Sequence, residues 1–220
     1  FDFDGTLAPI VTDPDRAALP ASTMERLERL AARIPCVVVS GRARSDVLSR
    51  LGGLPIAEVV GNHGSEPWLD TETLREPIRQ WLPVFHQHLG HLPGVFIEDK
   101  GCSLSIHYRH AKDGAQAVAT THDVARQLGV DRIIPGKYVL NLLPAGAMHK
   151  GAGLCRAMET LQKTRALYVG DDDTDEDVFR LAPRPTVLGI RIEYSEHTLA
   201  DLFLDGQPEI DKLLDLLCQC

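Results

Sequence analysis

Two aspartates, Asp2 and Asp4, alternate with Phe1 and Phe3 at the start of the chain. Residues 1–4 read as a strand, which sends alternate side chains to opposite faces, so both carboxylates point one way and both rings the other. Gly5 then breaks the segment. Like charges this close repel unless a cation lies between them or one takes a proton. Magnesium, a hard ion that prefers oxygen, meets the first condition. A carboxylate polarised in this way can attack phosphorus and form an aspartyl-phosphate, which makes Asp2 a candidate nucleophile. Asp4 can protonate the departing oxygen and afterwards take a proton from water.

Three further apolar runs end in polar groups of matching character. Val37-Val38-Val39 leads to Ser40-Gly41-Arg42, Glu58-Val59-Val60 to Gly61-Asn62-His63-Gly64, and Leu167-Tyr168-Val169 to Gly170-Asp171-Asp172-Asp173. Ser40 offers a hydroxyl to a phosphoryl oxygen. Lys150, followed by Gly151 at a helix start, adds a charge beside backbone amides that favour anions. Asp171, Asp172 and Asp175 share one acidic turn, and with Asp2 and Asp4 they are the candidate magnesium ligands. Each feature also has a plain structural reading. Ser40-Gly41 suits a strand-end turn, Lys150 a surface ion pair, the acidic run a solvated helix start, and Thr6 or Thr174 a helix cap. Gathered at strand ends, where open α/β sheets bind ligands, they point to phosphoryl transfer, which needs mainly positioning and charge neutralisation.

The elements that must position these groups follow from the apolar pattern. Short β-branched runs at 34–39, 55–60 and 165–170 read as strands buried on both faces of a parallel sheet. Ser22 reads as the cap of a first helix, a second runs through Val47 to Leu51, and others follow Lys150 and Thr174. A strand near 186–192 and a helix at 209–217 close the chain. Between residues 67 and 143 the pattern changes. A long amphipathic helix over 71–92 precedes a tight hairpin, a helix over 115–128 and two short strands, 132–134 and 137–143. This α-β-β-α-β-β block reads as an inserted domain with its own antiparallel sheet. The expected architecture is therefore α/β: a Rossmann-like parallel-sheet core made of residues 1–66 and 144–220, with an inserted α/β cap at 67–143.

Composition narrows the function. The 220 residues are 44% hydrophobic and 25% charged, ordinary for a soluble globular protein, and the formal charge of −8 disfavours a nucleic-acid partner. No apolar run approaches the roughly 20 residues of a membrane helix. Five scattered cysteines, including the terminal Cys218-Gln219-Cys220, suit a reducing cytoplasm better than a disulfide framework. There is no leader pattern, and a first residue Phe1 with almost no strand before the aspartates leads us to expect further residues upstream.

The order Asp2-Phe3-Asp4-Gly5-Thr6, Ser40, Lys150 and Gly170-Asp171-Asp172-x-Thr174-Asp175 resembles the four motifs of the haloacid dehalogenase phosphatases. Within them, Ser40-Gly41-Arg42, Gly61-Asn62-His63-Gly64, Glu98-Asp99-Lys100, His107-Tyr108-Arg109, Lys150-Gly151 and the run from Gly170 to Phe179 are similar to trehalose-6-phosphate phosphatases. The resemblance implies a mobile cap whose residues hold the sugar, with Glu98 and Lys100 gripping hydroxyls of the distal glucose. Period two independently places Glu98 with Lys100, and His107 with Arg109, on common strand faces. The substrate-binding set implied is Thr6, Ser40, Gly41, Arg42, Asn62, His63, Glu98, Lys100, His107, Arg109, Asn141 and Lys150. Asn141 departs from the pattern, because a glutamate is expected there, and an amide carries no charge with which to grip hydroxyls.

These observations lead to an Mg²⁺-dependent sugar-phosphate phosphatase acting on trehalose 6-phosphate, a small-molecule partner, with a monomer compatible with the sequence. Another glycosyl phosphate, such as a sucrose phosphate or mannosyl-phosphoglycerate, is the nearest alternative. A non-catalytic sugar-phosphate binding module fits less well with both Asp2 and Asp4 present. A response-regulator-like receiver would carry neither a nucleophile on its first strand nor so large a cap.

Overall fold

The computed structural model describes residues 1–136, 138–181 and 187–219, so Lys137, Thr186 and Cys220, which figure in the sequence reading, lie outside the described residues. In chain order the elements are α1 (Ala21–Ala31), β1 (Val37–Val39), α2 (Arg44–Leu51), β2 (Glu58–Val60), α3 (Thr71–Leu89), β3 (Phe96–Asp99), β4 (Leu104–His107) and α4 (Gly114–Gln127). Then follow β5 (Arg132–Gly136), β6 (Val139–Leu143), α5 (Lys150–Thr160), β7 (Ala166–Gly170), α6 (Glu176–Phe179), β8 (Val187–Ile192), β9 (Leu202–Leu204) and α7 (Ile210–Leu217). The chain divides into two compact units, Phe1–Pro67 with Met148–Cys220, and Trp68–Ala147.

In the first unit β1 pairs with β2, β7 with β8, and β8 with β9, all parallel. The first residues join the two groups. Phe1 donates to Val37 and accepts from the Val39 amide, while the Asp2 amide donates to Val169. The opening residues, expected as a strand, belong to none of the assigned strands, yet these bonds set them between β1 and β7, which is why Phe1 and Phe3 are buried. They pack with Val38, Val59, Val169 and Ile190 against Leu27 and Leu30 of α1, Val47 and Leu51 of α2, and Ile210 and Leu214 of α7. Val60, next to Val59, belongs to the other face, where α5 lies so close that a Cβ on Gly153 would be 2.8 Å from its Cγ1. Burial on two faces explains the unbroken valine runs.

Two local readings are corrected. Pro20, not Ser22, stands at the N-cap of α1, where its fixed φ of −57° starts the helix and its missing N–H costs nothing. Ser22 lies in the first turn, and its carbonyl accepts from Arg26. Strand β1 begins at Val37 rather than 34, after Pro35, which cannot donate to a ladder.

The second unit is an antiparallel sheet in the order β3-β4-β6-β5. Leu104, Ile106, Leu140 and Leu142 share one face and pack on Ile78, Trp81, Phe85 and Leu89 of α3 and Val124 and Ala125 of α4. Asp70 caps α3 by accepting from the Glu72 amide at 3.0 Å, and Gly90 ends it three residues short of the expected stop. Pro77 and Pro83 each remove a backbone hydrogen bond from this helix, a cost offset by its buried stripe. Phe85 is fully buried in that stripe, so Phe85→Ala should cost roughly 3–5 kcal/mol. Hydrogen exchange should show the loss in amides of the second unit, with those of β7 and β8 little changed.

Candidate active site

Lys150 opens α5, where His149 supplies the cap by accepting from the Ala152 amide at 3.2 Å. Its side chain turns inward and is 3% exposed. The ammonium donates to Asp2 Oδ1 and to Asp175 Oδ1, both at 2.8 Å. Asp175 Oδ1 also accepts from the Tyr168 hydroxyl at 2.6 Å, and its Oδ2 accepts from the amides of Asp171 and Asp172, both at 3.0 Å. A carboxylate has about four lone-pair directions, and these four donors occupy them. Asp175 therefore joins the end of β7, the acidic turn and the start of α5.

Asp2, Asp171 and Asp175 each place an oxygen within 4.8 Å of one another. Gly5 permits this approach: its φ is +80°, and a Cβ there would lie 2.0 Å from Asp171 Oδ2. The Thr6 hydroxyl donates to Asp171 Oδ1 at 3.4 Å. Burial and the neighbouring Asp175 charge push the Asp2 carboxyl up to about 7 against the pull of Lys150. Burial, with the charges of Asp2 and Asp175, pushes Asp171 up to about 9. Burial alone would lower Lys150, but the facing Asp175 and Asp2 raise it. These shifts agree once charges are counted: one ammonium faces three carboxylates and cannot neutralise them all. The donor set is all oxygen and short of positive charge, and so it fits a hard divalent cation.

Asp4 is not among the three gathered carboxylates, and both its oxygens lie in the guanidinium fork of Arg42. Asp172 caps the turn that follows it, accepting from the Asp173 amide at 2.8 Å. The Ser40 side chain is buried, and its oxygen accepts from the Arg42 amide at 3.2 Å. Gly41 lies under His63, whose Cε1 would be 2.6 Å from an added Cβ. Asn62 and His63 are buried with φ of 47° and 54°. Asn62 Oδ1 has no hydrogen-bond partner among the described residues.

On the second unit, Glu98 Oε2 meets His107 Nε2 at 2.8 Å and Lys100 Nζ at 3.7 Å. Strand β4 ends at His107, so Arg109 leaves the strand face and stacks 5.5 Å over the Tyr138 ring. Asn141 accepts from the Ser105 hydroxyl at 2.7 Å, a cross-strand pair in register, and is 5% exposed. Sequence reasoning missed Tyr168, although a tyrosine in an apolar run two residues before Gly170 is a readable signal. It also missed Glu176, which accepts from Arg191, Thr198 and the Leu199 amide and ties the acidic turn to the segment before β9.

A parallel sheet with an inserted α/β unit and a lysine among strand-end carboxylates defines the haloacid dehalogenase fold. A haloacid dehalogenase-like hydrolase from Bacteroides thetaiotaomicron superimposes with a TM-score of 0.63 at 17% identity, covering 98% of this chain and 97% of that one. The trehalose-6-phosphate phosphatase C-terminal domain of C. albicans superimposes with a TM-score of 0.83 at 22% identity, covering 100% of this chain and 91% of that one. The family model described as trehalose-phosphatase matches residues 1–207, and the chain belongs to that family. The trehalose-phosphate phosphatase of Mycobacterium bovis (strain BCG / Pasteur 1173P2) is 34% identical over 237 aligned residues, covering 100% of this chain. The chain spans 60% of the length of that relative.

The raised carboxyls set a pH dependence. A folded-state pKa above the ordinary 3.8 means that the folded form binds more protons, so stability falls as pH rises from 3.8 through about 7 for Asp2 and about 9 for Asp171. Without divalent cation the melting temperature should drop across this window, and magnesium should flatten the decline. Scanning calorimetry with chelator and with magnesium reads both; parallel curves would exclude a cation at these carboxylates.

Proposed function

We propose that this protein is a phosphomonoester hydrolase that releases inorganic phosphate from trehalose 6-phosphate. The observation that supports it most directly is the buried Lys150 ammonium held between Asp2 and Asp175 with Asp171 alongside. Asp2 is the nucleophile: one of its oxygens bonds to phosphorus as the bond from phosphorus to the sugar oxygen breaks, and Asp4 gives that oxygen a proton. Water then attacks phosphorus, its proton passes to Asp4, and the bond from phosphorus to Asp2 breaks to release phosphate. Lys150 counters charge on the phosphoryl oxygens, and the Ser40 hydroxyl holds them. Asp2 and Asp171 would hold the metal, with Asp4 and Asp172 flanking them and Asp175 fixing Lys150 and the acidic turn. Bound Mg²⁺ supplies charge neutralisation at the reacting phosphoryl group.

The polar face of β3 and β4 is the proposed sugar-binding surface, through Glu98, Lys100 and His107, with Arg109 beside it. Asn141 contributes to the floor of that face rather than gripping a hydroxyl, because its amide is already engaged by Ser105. No helix among the described residues is long and apolar enough to cross a membrane, and among those residues Cys36, Cys155 and Cys218 form no disulfide, which supports a cytoplasmic assignment.

Phosphate release from a panel of sugar phosphates tests the assignment. Trehalose 6-phosphate should give the highest kcat/KM, with activity lost in chelator and restored by magnesium; a higher value on another glycosyl phosphate would replace the substrate. Asp2→Asn should abolish turnover, and Asp4→Asn should reduce it by roughly a hundred- to ten-thousand-fold. A loss under about threefold for Asp4→Asn would remove its acid-base role.

Glu98→Ala should lower activity on the disaccharide phosphate by about tenfold, since remote binding energy supports the reacting centre. Hydrolysis of small aryl phosphates by the same variant should fall less than about twofold. Equal losses on both substrates would withdraw the sugar role of this face.

A further inference from the structure

Arg42 stands in the sequence as a substrate-binding candidate, but its donors are spent inside the protein. Nε donates to Asp4 Oδ2 at 2.6 Å, and Nη2 donates to Asp4 Oδ1 and to the Pro14 carbonyl, both at 2.8 Å. Nη1 donates to Asp46 Oδ2 at 2.9 Å, so four of the five N–H donors of a guanidinium are occupied. The plane also lies over the Phe3 ring, 5.8 Å from its centroid. Asp46 gives its second oxygen to Arg50 Nε at 2.9 Å, and Arg50 is anchored by the carbonyls of Asp15 and Ala17. Charges therefore alternate along one row: Arg50, Asp46, Arg42, Asp4. The three supporting residues stand four apart, at 42, 46 and 50, just before and along α2, the spacing that brings helix side chains together. Both arginine side chains are nearly buried, at 12% and 14% exposed. Burial pushes the Asp46 carboxyl up, but hydrogen bonds from Arg50 and Arg42 outweigh it and leave the group below the usual carboxylate range.

We propose that Arg42 is a positioning residue for Asp4, held in place by Asp46 and Arg50, and that this row aims the Asp4 carboxylate at the water that hydrolyses the aspartyl-phosphate. A bidentate fork fixes both the plane and the direction of a carboxylate, which a single hydrogen bond does not. Each Asp4 oxygen gives one lone pair to the fork and keeps a second, so Asp4 can accept the proton of the attacking water without leaving Arg42. In that step the water oxygen bonds to phosphorus, the bond from phosphorus to Asp2 breaks, and the proton goes to Asp4. The inference rests on the aspartyl-phosphate reading above and adds three residues that touch neither substrate nor metal.

Asp46→Asn keeps the shape of the row and weakens its grip on Arg42. The full chain with magnesium is mixed rapidly with p-nitrophenyl phosphate, whose leaving group departs without a proton. The burst of nitrophenolate reports phosphorylation of Asp2, and the steady state that follows reports hydrolysis. In Asp46→Asn the burst rate should stay within about twofold of the unsubstituted protein while the steady-state rate falls about tenfold. That loss is a fraction of what a general base contributes. Acid-quenched samples should accumulate phosphoprotein, detected by intact mass. Arg42→Lys, which keeps the charge and loses the fork, should behave alike with a larger loss. Should either variant fold poorly by circular dichroism, Arg50→Gln at the outer end gives a smaller effect of the same kind. Burst and steady state falling together, or a rise confined to KM, overturns the positioning role. An unsubstituted protein that releases no phosphate and forms no phosphoprotein overturns the phosphatase reading instead.

Discussion

A lysine ammonium buried among carboxylates is the constraint around which the first unit is arranged. Removing an ammonium from water is costly, and the cost is met only when hydrogen-bonded anions replace the lost hydration. Asp2 and Asp175 do this for Lys150 from opposite parts of the chain, one in the opening segment and the other after β7. The anions outnumber the cation, so the arrangement that holds the lysine also leaves unneutralised negative charge. A site of this kind favours a further positive charge.

Asp175 is the mechanical centre of this arrangement. Through four accepted hydrogen bonds it ties a tyrosine of β7, two amides of the acidic turn and the head of α5. Backbone compactness serves the same end. A Cβ on Gly170 would lie 2.3 Å from Asp175 Cγ, and one on Gly151 would lie 2.2 Å from the Asp177 carbonyl oxygen. Glycine at these positions lets the strand end, helix start and acidic turn converge.

In the second unit one sheet serves two purposes because its side chains alternate. The apolar set packs on α3 and α4, and the polar set forms the row Glu98, Ser105, Asn141 across three strands in register. Within that row the Ser105 hydroxyl satisfies Asn141. A glutamate at 141 would bring a charge into a buried position beside a lone hydroxyl, at a desolvation cost an amide avoids. The amide at this position thus suits its surroundings.

Much of the chemistry was legible in the chain itself. The valine runs bounded by Ser40 and Gly61 and the acidic turn after Gly170 are local patterns, and local backbone geometry turns them directly into strand ends bearing polar groups; the alternation of Asp2 and Asp4 with two phenylalanines buried the rings without making residues 1–4 one of the assigned strands. The interruption by an α-β-β-α-β-β block was likewise local in origin. What sequence could not supply was which charges meet. Whether Asp4 or Asp175 joins Asp2, whether Arg42 faces a carboxylate, whether Arg109 stays on its strand and whether Asn141 is free all depend on contacts between residues far apart in the chain. The edge strand β9, Leu202–Leu204, went unread because it is a short, largely exposed run between Asp201 and Asp205 with neither the buried valines of β1 nor a polar strand end. Spacing determines which side of an element a group takes; only tertiary packing, by excluding water and bringing distant donors within reach, decided the partner each group would find there.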